Sequence, residues 1–568
     1  MSIYDKASLV LIPSGTKTSK VYSQKPVNGD GDFTFSRSTG ATRVNADGNI
    51  EKETQNLLLQ SNSFTTGWSL SNVTMTSGQA GYDGTNDAWL MTDTNSGGYG
   101  IIDRLVTTGG ITTFSCYAKS GTTNIFGLRP IGGSSPYVFF DLSNGTFESA
   151  GDTANLIDWD IQDAGSGWYR CSVTTSATAT QVLIYIATTG GGLAPSGSTI
   201  YIQDAQLEQG MVARDYIETT TAAVEGGITD NVPRLDYTDS SCPSLLLEGQ
   251  RTNLITLSEA LSIGTSGSTT EQNTADTTSP EGYYNATKIL GSTSYLAKGV
   301  GSAFSGNNTT SVFLKYGNDS EIGVYMYDGA YYRVTFNIVN GTISSTFGGV
   351  TGTITDYGNG WYRCTIYKST AANVVEVGVD SLAGFVYTYG WQHEYNASYA
   401  TSYIPTYGTS VTRAKDDCTL SDVSNVIADS KGSFYIEGNL STMDTSGVIV
   451  LTAGANTQDL FYIFISTAGV LLCEWFDGGT LQARFEKPAG SISVGDSFKI
   501  AAAYQDNDFV AYWNGTQIGT DSSGTAPTPT LLRIGKYNVD NYTGGSYTNA
   551  MVFPTRLSNE ELAALTTI

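Results

Sequence analysis

Short runs rich in apolar and aromatic residues, many of them alternating with polar or amphipathic ones, recur along the whole chain. Examples lie at 433–437 (SFYIE), 461–465 (FYIFI) and 498–504 (FKIAAAY), and clusters of Gly, Asn, Asp and Ser separate such runs. Alternation with a period of two predicts strands that bury one side, and regular turn residues predict antiparallel hairpins. Long amphipathic stretches rich in Lys and Glu, which are typical of helices, are nearly absent. The pattern therefore predicts an all-β protein built from tandem antiparallel β-sandwiches.

Two-residue turns of the Asn-Gly or Asp-Gly type mark several hairpins. Both residues of such a turn tolerate a positive φ, which the tight turns of β-hairpins require. One short C-terminal helix is also predicted, because Ser558 can cap its first turn while Glu561 returns to the backbone of the cap. The hairpin turns stand at 47–48, 144–145, 340–341 and 514–515.

The chain contains an internal repeat. The segment 165–172 (GSGWYRCS) returns as 358–365 (GNGWYRCT). Three further landmarks flank this segment in the same order in both copies: a Lys-x-Gly strand end, an Asn-Gly hairpin, and a Gln-x-Glu segment followed by Tyr-Ile. Four landmarks in one order indicate two homologous sandwiches.

A chain of 568 residues exceeds what one hydrophobic core supports, so three or four domains are expected. The N-terminal segment holds too little apolar surface to fold alone, and we expect it to dock on the first sandwich, on a sister chain or on a larger particle. The expected units are an N-terminal docking segment with a hairpin (1–55), a first sandwich (56–220), an ordered connector (221–250), a second, homologous sandwich (251–414) and a third sandwich (415–568).

The chain is strongly acidic, with a formal net charge of −24. Such a surface repels phosphate backbones, so nucleic acid is not expected as a partner. No apolar stretch is long enough to span a membrane, and the start, Met1 to Lys6, lacks a basic stretch followed by an apolar run. We therefore expect neither membrane insertion nor a signal peptide.

Candidate catalytic groups are scarce. His393 is the only histidine, which argues against Ser-His-Asp or Cys-His catalysis and against multi-histidine metal sites. The six cysteines form no CxxC pair, and Cys171 and Cys364 occupy equivalent places in the repeat, which predicts small buried side chains. The oxygen-rich loop at 318–321 matches no defined Ca²⁺ site. No catalytic residue, metal site or cofactor is predicted, although glycoside cleavage needs only two suitably spaced carboxylates.

The last part of the chain resembles concanavalin/laminin-G-like jelly rolls. The resemblance covers residues 415–568 and rests on the hairpin at 513–515, the strand that ends at 534–535, and the closing segment 553–562 (FPTRLSNEEL). It implies a further antiparallel sandwich. It says little about function, because this fold serves lectins, enzymes and adhesion modules alike.

The two repeated sandwiches resemble galactose-binding-like jelly rolls of the carbohydrate-binding-module type, through their Gly-Trp-Tyr-Arg-Cys and Gln-x-Glu…Tyr-Ile-x-Thr landmarks. The segments 37–51 (RSTGATRVNADGNIE) and 231–254 (NVPRLDYTDSSCPSLLLEGQRTNL) resemble sequence motifs that recur in bacteriophage tail and appendage proteins. These resemblances imply a virion protein that is made in the host cytoplasm. They also imply a homotrimer, which is the usual state of such fibres, although no coiled-coil heptads are present.

Sugar recognition uses aromatic faces against apolar C–H patches, together with planar amides and carboxylates for hydroxyls. The hairpin 325–333 (YMYDGAYYR) of the second sandwich offers such a row, and the first sandwich offers less at the equivalent Phe126, Leu128 and Tyr137. The alternative for each aromatic residue is a place in a core. The predicted ligand contacts are Tyr325, Tyr327, Tyr331, Trp475, Trp513, Tyr537, Tyr542 and Tyr547.

Trp168 and Trp361 open a strand at the same place in both copies, which indicates a structural role. We expect them in a core or corner, with Arg170 and Arg363 in salt bridges outside.

Three functions remain open for the whole chain. The first is a non-enzymatic virion appendage (a tail fibre, a head fibre or a capsid-decorating protein) that attaches to host-surface glycans. The second is a purely structural virion subunit that packs against other virion proteins. The third is a polysaccharide-degrading enzyme.

Overall fold

The computed structural model describes residues 2–567 except 96, 133–134, 292–293, 301–305, 372, 383, 429, 441–447, 455–457 and 538–543. The described chain forms antiparallel sheets and two short helices, so the all-β prediction is confirmed. No helix of these residues is long and apolar enough to cross a membrane.

The first 56 residues form small elements that attach to later parts of the chain. β5 and β6 are joined by the hairpin predicted at Asp47-Gly48, where Gly48 has a φ of +80°. The elements are α1 (Ile3–Lys6), β1 (Leu9–Leu11), β2 (Thr16–Lys17), β3 (Lys20–Val21), β4 (Phe33–Ser36), β5 (Thr42–Val44), β6 (Ile50–Lys52) and β7 (Thr54–Asn56).

The first sandwich consists of thirteen strands in two facing sheets. Its strands are β8 (Ser69–Ser71), β9 (Val73–Gln79), β10 (Ala88–Asp93), β11 (Gly100–Leu105), β12 (Thr112–Ser120), β13 (Ile125–Ile131), β14 (Tyr137–Asp141), β15 (Thr146–Gly151), β16 (Leu156–Gly165), β17 (Trp168–Thr175), β18 (Gln181–Thr188), β19 (Gly192–Leu193) and β20 (Thr199–Gln209). One sheet has the order β16-β17-β12-β20-β10-β9, and the other has the order β15-β14-β13-β18-β11-β8 with β19 beside β18. Cys171 lies in the core between them, as predicted.

The connector contributes four short strands: β21 (Val224–Gly226), β22 (Arg234–Asp236), β23 (Ser244–Leu247) and β24 (Arg251–Asn253). β21 pairs with β7, and β22 pairs with β23.

The second sandwich repeats the first with fewer strands. Its strands are β25 (Thr265–Gly267), β26 (Thr269–Glu271), β27 (Thr287–Leu290), β28 (Ser294–Gly299), β29 (Gly306–Tyr316), β30 (Glu321–Tyr327), β31 (Tyr331–Asn337), β32 (Thr342–Phe347), β33 (Thr351–Asp356), β34 (Trp361–Ala371), β35 (Glu376–Leu382) and β36 (Phe385–Tyr395), followed by β37 (Val411–Arg413), which pairs with β24. The two sheets have the orders β26-β27-β36-β29-β34-β33 and β25-β28-β35-β30-β31-β32. Cys364 lies in the core between them, as predicted.

The C-terminal sandwich is completed by strands from elsewhere in the chain. Its own elements are β38 (Asp417–Leu420), β39 (Lys431–Asn439), β40 (Val448–Ala453), β41 (Leu460–Ile465), β42 (Leu471–Asp477), β43 (Thr480–Glu486), β44 (Ser497–Gln505), β45 (Asp508–Trp513), β46 (Thr516–Asp521), β47 (Leu532–Ile534), β48 (Gly545–Phe553) and α2 (Asn559–Thr566). One sheet has the order β22-β23-β48-β39-β44-β45-β46 with β1 beside β48, and the other begins β2-β3-β4-β38. Strands β1–β4 of the N-terminal segment therefore dock on the C-terminal sandwich, which is not among the partners expected from the sequence. α2 has the predicted capping box between Ser558 and Glu561.

The Gln-x-Glu landmark fixes the end of each repeat. In the first copy, the Gln206 side chain accepts a hydrogen bond from the backbone N–H of Ile217 (2.8 Å), and the Asn56 side chain donates to the carbonyl of the same residue (2.8 Å). Gln392 and Asn253 make the same two bonds to the equivalent isoleucine of the second copy. Because buried backbone groups need partners, this landmark is structural.

Two buried ionic networks tie the units together. In one, Arg234 bridges Glu248 (2.6 Å) and Asp416, Arg413 also reaches Glu248, and Arg37 reaches Asp416 (3.1 Å). Three of these five residues come from the segments 37–51 and 231–254. Removing one partner of such a buried pair leaves an uncompensated charge.

The second network joins the β5–β6 hairpin to both of the repeated sandwiches. Lys52 bridges Glu259 (2.7 Å) and Glu281, and Arg214 bridges Glu281 (3.0 Å) and Glu208 (3.5 Å). The two networks thus fix the units against each other through charges that are almost fully removed from solvent.

Candidate functional site

The hairpin at 325–333 presents its tyrosines on the outer side of a sheet. Ile322, Val324 and Met326 of β30 point into the core of the second sandwich. Because successive side chains of a strand point to opposite sides, Tyr325 and Tyr327 point away from that core.

Strand register brings further aromatic side chains to the same outer side. Tyr327 lies opposite Tyr331 on β31. Phe347 of β32 lies opposite Arg333, and Tyr295 of β28 lies opposite Asp380 of β35. We call this surface the tyrosine face. Its members are Tyr295, Tyr325, Tyr327, Tyr331, Arg333, Phe347, Glu376 and Asp380.

Most rings of the tyrosine face are accessible to solvent. The exposed fractions are 41% for Tyr295, 40% for Tyr327, 36% for Tyr331 and 63% for Phe347. Large aromatic side chains that are exposed together on one sheet are unusual away from binding surfaces.

Tyr325 is the buried centre of this surface, with 3% exposure. Its ring stacks on that of Tyr331, with centroids 4.9 Å apart and planes inclined by 30°. The other ring edge lies over Gly378, where a Cβ atom would overlap Tyr325. Tyr325 therefore supports the exposed Tyr331 ring, and the prediction that it contacts a ligand directly is wrong because its own ring is covered.

Charged groups surround the rings. Arg333 Nε donates to Asp380 Oδ1 (2.7 Å), the Tyr331 hydroxyl donates to the same carboxylate, and the Tyr325 hydroxyl donates to Glu376 Oε1 (3.0 Å). Gly323 leaves room for the Arg333–Asp380 pair, because a Cβ atom there would overlap both side chains.

Both central phenols are held protonated. Burial and then the neighbouring carboxylates raise the pKa of Tyr325, and burial together with its hydrogen bond to Asp380 raises the pKa of Tyr331. A protonated phenol can both donate and accept a hydrogen bond. The face thus combines flat apolar rings with carboxylates, a guanidinium group and hydroxyls.

Two further predicted ligand contacts, both in the C-terminal sandwich, are also wrong. Trp475 is completely buried, because it shares the inward side of β42 with Cys473 and packs on Phe461 (centroids 4.8 Å apart). Tyr547 of β48 is 2% exposed and packs edge-on against Phe498 in the same core. Alternation identified their strands without telling which side is the inner one.

The other C-terminal candidates are dispersed. Trp513 is half-buried beneath Lys487, whose Nζ lies 4.2 Å from the ring centroid. Tyr537 is half-buried and packs edge-on against Tyr462 (centroids 5.5 Å apart). Tyr542 lies outside the described residues. The structure does not bring these three together into one site.

The equivalent surface of the first sandwich is closed. Phe126 and Leu128 point into the core, so of the three residues compared in the sequence only Tyr137 lies outside it. Phe139 and Tyr185 are 5% and 6% exposed and form an apolar cluster on the outer side of the sheet.

Trp168 and Trp361 are each 1% exposed, which agrees with a structural role. The salt bridges expected for their neighbouring arginines are absent from the described ion pairs. Arg170 and Arg363 instead donate to the hydroxyls of Ser115 (3.3 Å) and Ser311 (3.0 Å) across the sheet.

The oxygen-rich loop at 318–321 uses its side-chain oxygens to accept hydrogen bonds from backbone N–H groups. Asn318 accepts from Phe385 (2.5 Å), and Asp319 accepts from Gly384 (2.7 Å).

Sequence reasoning missed Tyr295, Phe347, Glu376 and Asp380. Their strands are far from the hairpin in sequence, and the register that brings them together depends on the folded sheet. One signal was present. The first copy has residues 189–198 between β18 and β20, where the second copy has only 383–384 between β35 and β36. That length difference indicates that one outer side is covered by a loop and the other is open.

No protein-family model matches the chain, and no curated protein matches it significantly. Among solved structures, the CBM40 of Ruminococcus gnavus IT-sialidase bound to alpha2,3-sialyllactose is 22% identical over 25% of this chain and 84% of that chain, with a TM-score of 0.22. A leech intramolecular trans-sialidase is 16% identical over 27% of this chain and 26% of that chain, with a TM-score of 0.24. Domain 4 of AbnA, a GH43 arabinanase from Geobacillus stearothermophilus, in complex with arabinotriose, is 12% identical over 30% of this chain and 81% of that chain, with a TM-score of 0.21. Similarities at this level carry no argument about the function of this chain.

Proposed function

We propose that this chain is a non-enzymatic glycan-binding protein of a bacteriophage virion, in a tail or head fibre or another appendage, and that the tyrosine face binds host-surface glycans. The observation that carries the proposal is the exposure of Tyr295, Tyr327, Tyr331 and Phe347 on one sheet beside Arg333, Glu376 and Asp380. Exposed rings can cover the apolar C–H patches of a sugar. The carboxylates and the guanidinium group can bond its hydroxyls.

The charge of the protein narrows the ligand class. The whole chain carries a formal charge of −24, and two of the three ionic groups on the tyrosine face are carboxylates. A polyanionic ligand would be repelled from this surface. We therefore expect a neutral or amine-bearing glycan.

The virion assignment rests on the segments 37–51 and 231–254, which resemble sequence motifs of phage appendage proteins. A virion protein would assemble with other virion proteins, and a homotrimer is the state we expect from that resemblance. It would be synthesised in the host cytoplasm and would act outside the cell as part of the particle.

Binding of the purified, labelled chain to a panel of bacterial glycans and to whole cells tests the proposal. We expect saturable binding that one sugar competes away. Tyr331→Ala should weaken it at least about fivefold, because a central aromatic contact typically contributes more than about 1 kcal/mol. Tyr284→Ala is the matched control, since Tyr284 is 57% exposed and lies outside the tyrosine face. Equal binding by both variants would contradict the assignment of the face.

A structural subunit is the second candidate function, and the 63% exposure of Phe347 favours it, because an exposed ring of this kind can also pack against another subunit. Sedimentation of the wild-type chain and of Phe347→Ser separates the two. Loss of an oligomer in the variant, with no glycan bound by either protein, would favour the structural role. Release of new reducing ends from host polysaccharide would instead identify an enzyme.

A further inference from the structure

A second concave region lies on the other sheet of the second sandwich. It is a cleft of about 490 Å³ between that sheet, the β5–β6 hairpin, the connector and the C-terminal sandwich. This volume falls within the range of about 300–1,000 Å³ that is typical of small-molecule sites. We call it the junction cleft.

The floor of the junction cleft is rich in hydroxyl groups. Thr351, Thr353 and Thr355 of the edge strand β33 line the cleft and are exposed. They alternate along the strand, so all three side chains point to the same side of the sheet. Their partners on β34 are Tyr367, Thr365 and Arg363 respectively.

Arg363 lies at the inner end of this floor and is 7% exposed. Its Nη2 donates to Ser311 Oγ (3.0 Å), and its guanidinium carbon lies 5.4 Å from the centroid of the Phe313 ring. Its Nε has no acceptor among the described residues. A buried donor without a partner is costly unless a ligand or water satisfies it.

The opposite wall is charged, but most of its charges are engaged. Arg43 is paired with Glu51 (2.8 Å). Asp236 accepts hydrogen bonds from the backbone N–H groups of Val44 (2.9 Å) and Thr238 (3.0 Å). Asp239 faces the C-terminal sandwich, where Asn439 Nδ2 lies 3.4 Å away. The wall therefore offers bonded polar groups and no excess of positive charge.

The first sandwich uses the equivalent surface for contact between the repeats. Register places Asp158, Asp160 and Gln162 of β16 where the second copy has the three threonines. There, Asn273 of the second sandwich donates to Asp158 (2.8 Å). The second copy has short uncharged hydroxyls at these positions, and the space above them is open.

We propose that the junction cleft binds a short, uncharged oligosaccharide, with the threonine row and Arg363 bonding its hydroxyls and Tyr367 contacting a sugar ring. The cleft lies on the opposite side of the second sandwich from the tyrosine face. The inference therefore goes beyond the proposed function and shares with it only the class of ligand.

Hydrogen–deuterium exchange of the full chain tests the two sites separately. The probes are neutral gluco-, manno- and chito-oligosaccharides and, as an acidic comparison, oligogalacturonate. We expect a neutral probe to protect the peptide 351–367, and to do so also in Tyr331→Ala, in which the tyrosine face is impaired. Protection of 351–367 in that variant would support the cleft even if the tyrosine face bound nothing.

A filled cleft provides the second measurement. Thr353→Trp places a large side chain on the floor and should lower the calorimetric affinity of the protecting probe at least tenfold, while binding at 325–333 is unchanged. Thr520→Trp, on the exposed edge strand β46 of the C-terminal sandwich, is the matched control and should bind like the wild type. Absence of protection at 351–367 with every neutral probe, or stronger protection by oligogalacturonate, would overturn the proposal.

Discussion

The two homologous sandwiches present equivalent sheets that differ in what lies on their outer side. In the first, residues 189–198 connect β18 to β20 and fold over the sheet, so that Gly191 lies against the ring of Phe139 and accepts a hydrogen bond from Tyr99 (2.7 Å). In the second, β36 begins three residues after β35 ends, at Phe385 after Leu382. There, Tyr327, Tyr331 and Phe347 remain exposed.

The difference shows that a connecting loop can decide whether the outer side of a sheet becomes core or surface. Both copies have a glycine at the centre of this side, Gly127 in the first and Gly323 in the second. In the first copy it makes room for an aromatic ring, and in the second for an ion pair. Similar backbones thus support a closed apolar cluster in one copy and an open polar–aromatic surface in the other.

Truncating one ring in each copy should give the largest contrast in stability. Phe139→Ala is expected to lower the free energy of unfolding by about 3–5 kcal/mol, because it opens a cavity in a closed cluster. Tyr327→Ala, at a 40% exposed position, should cost roughly 0.5 kcal/mol or less. Chemical denaturation of both variants measures this contrast, and comparable losses would show that the second surface is also a core.

The pH dependence of stability should also differ between the copies. In the first, burial and the neighbouring carboxylates Asp87 and Asp83 raise the pKa of Asp204 to about 7. The equivalent position in the second copy is Gly390, and both residues have a left-handed backbone, with φ of 52° and 58°. The folded state retains the Asp204 proton to higher pH than the unfolded chain, so the free energy of unfolding falls as pH rises from about 4 to about 7.

Asp204→Asn removes this titration while keeping a residue that tolerates a positive φ. The variant should match the wild type near pH 4 and exceed it at pH 8 by about 2–4 kcal/mol. Thermal unfolding at several pH values checks this. A wild-type advantage at pH 8 would mean that the ionised carboxylate is stabilised by its hydrogen bond from Tyr82 (3.0 Å).

Adding one methyl group to the central glycine of each surface sharpens the comparison further. Gly127→Ala would overlap the ring of Phe139 and approach Tyr185, and should cost about 1–3 kcal/mol of stability through overpacking. Gly323→Ala meets the flexible ends of Arg333 and Asp380. We expect it to cost under about 1 kcal/mol but to weaken glycan binding, and denaturation with parallel binding assays separates the two effects.

The smallest expected effect concerns a single hydroxyl. Tyr331→Phe keeps the stacked ring but removes its bond to Asp380, which should weaken glycan binding by about 0.5–1.5 kcal/mol, or roughly two- to tenfold. Tyr331→Ala should weaken it more. Titration calorimetry of the two variants compares the contribution of the ring to glycan binding with that of the hydroxyl. Equal losses of affinity in both variants would assign the whole contribution to the hydroxyl.

Much of the fold could be predicted from local patterns. The positions of Cys171 and Cys364 in two cores, the hairpin at Asp47-Gly48 and the capping box at Ser558 all follow from neighbouring residues. The docking of the N-terminal strands on the C-terminal sandwich could not be predicted, because no local signal reports strand pairing over such a separation in sequence.

The site was predicted only in part for the same reason. Tyr327 and Tyr331 lie in one hairpin, so their proximity follows from its turn. Asp380 and Phe347 reach them through the register of other strands. For Trp475 the prediction was wrong for another reason. The sequence pattern of an alternating strand is the same whether its aromatic side faces the core or the solvent.

The pairing of β1 with β48 constrains how the molecule can be made. Leu9 lies opposite Val552, which is 543 residues later in the sequence, so β1 leaves the ribosome before its partner strand and waits while these residues are made. At ordinary rates of synthesis that wait lasts roughly half a minute to two minutes, during which β1 has an unpaired edge. Both repeats can fold in this interval, whereas the C-terminal sandwich can close only after translation has passed β48. Closure of that sandwich therefore comes after the folding of both repeats, and a chain interrupted before β48 would carry open strand edges that invite aggregation or capture by a chaperone.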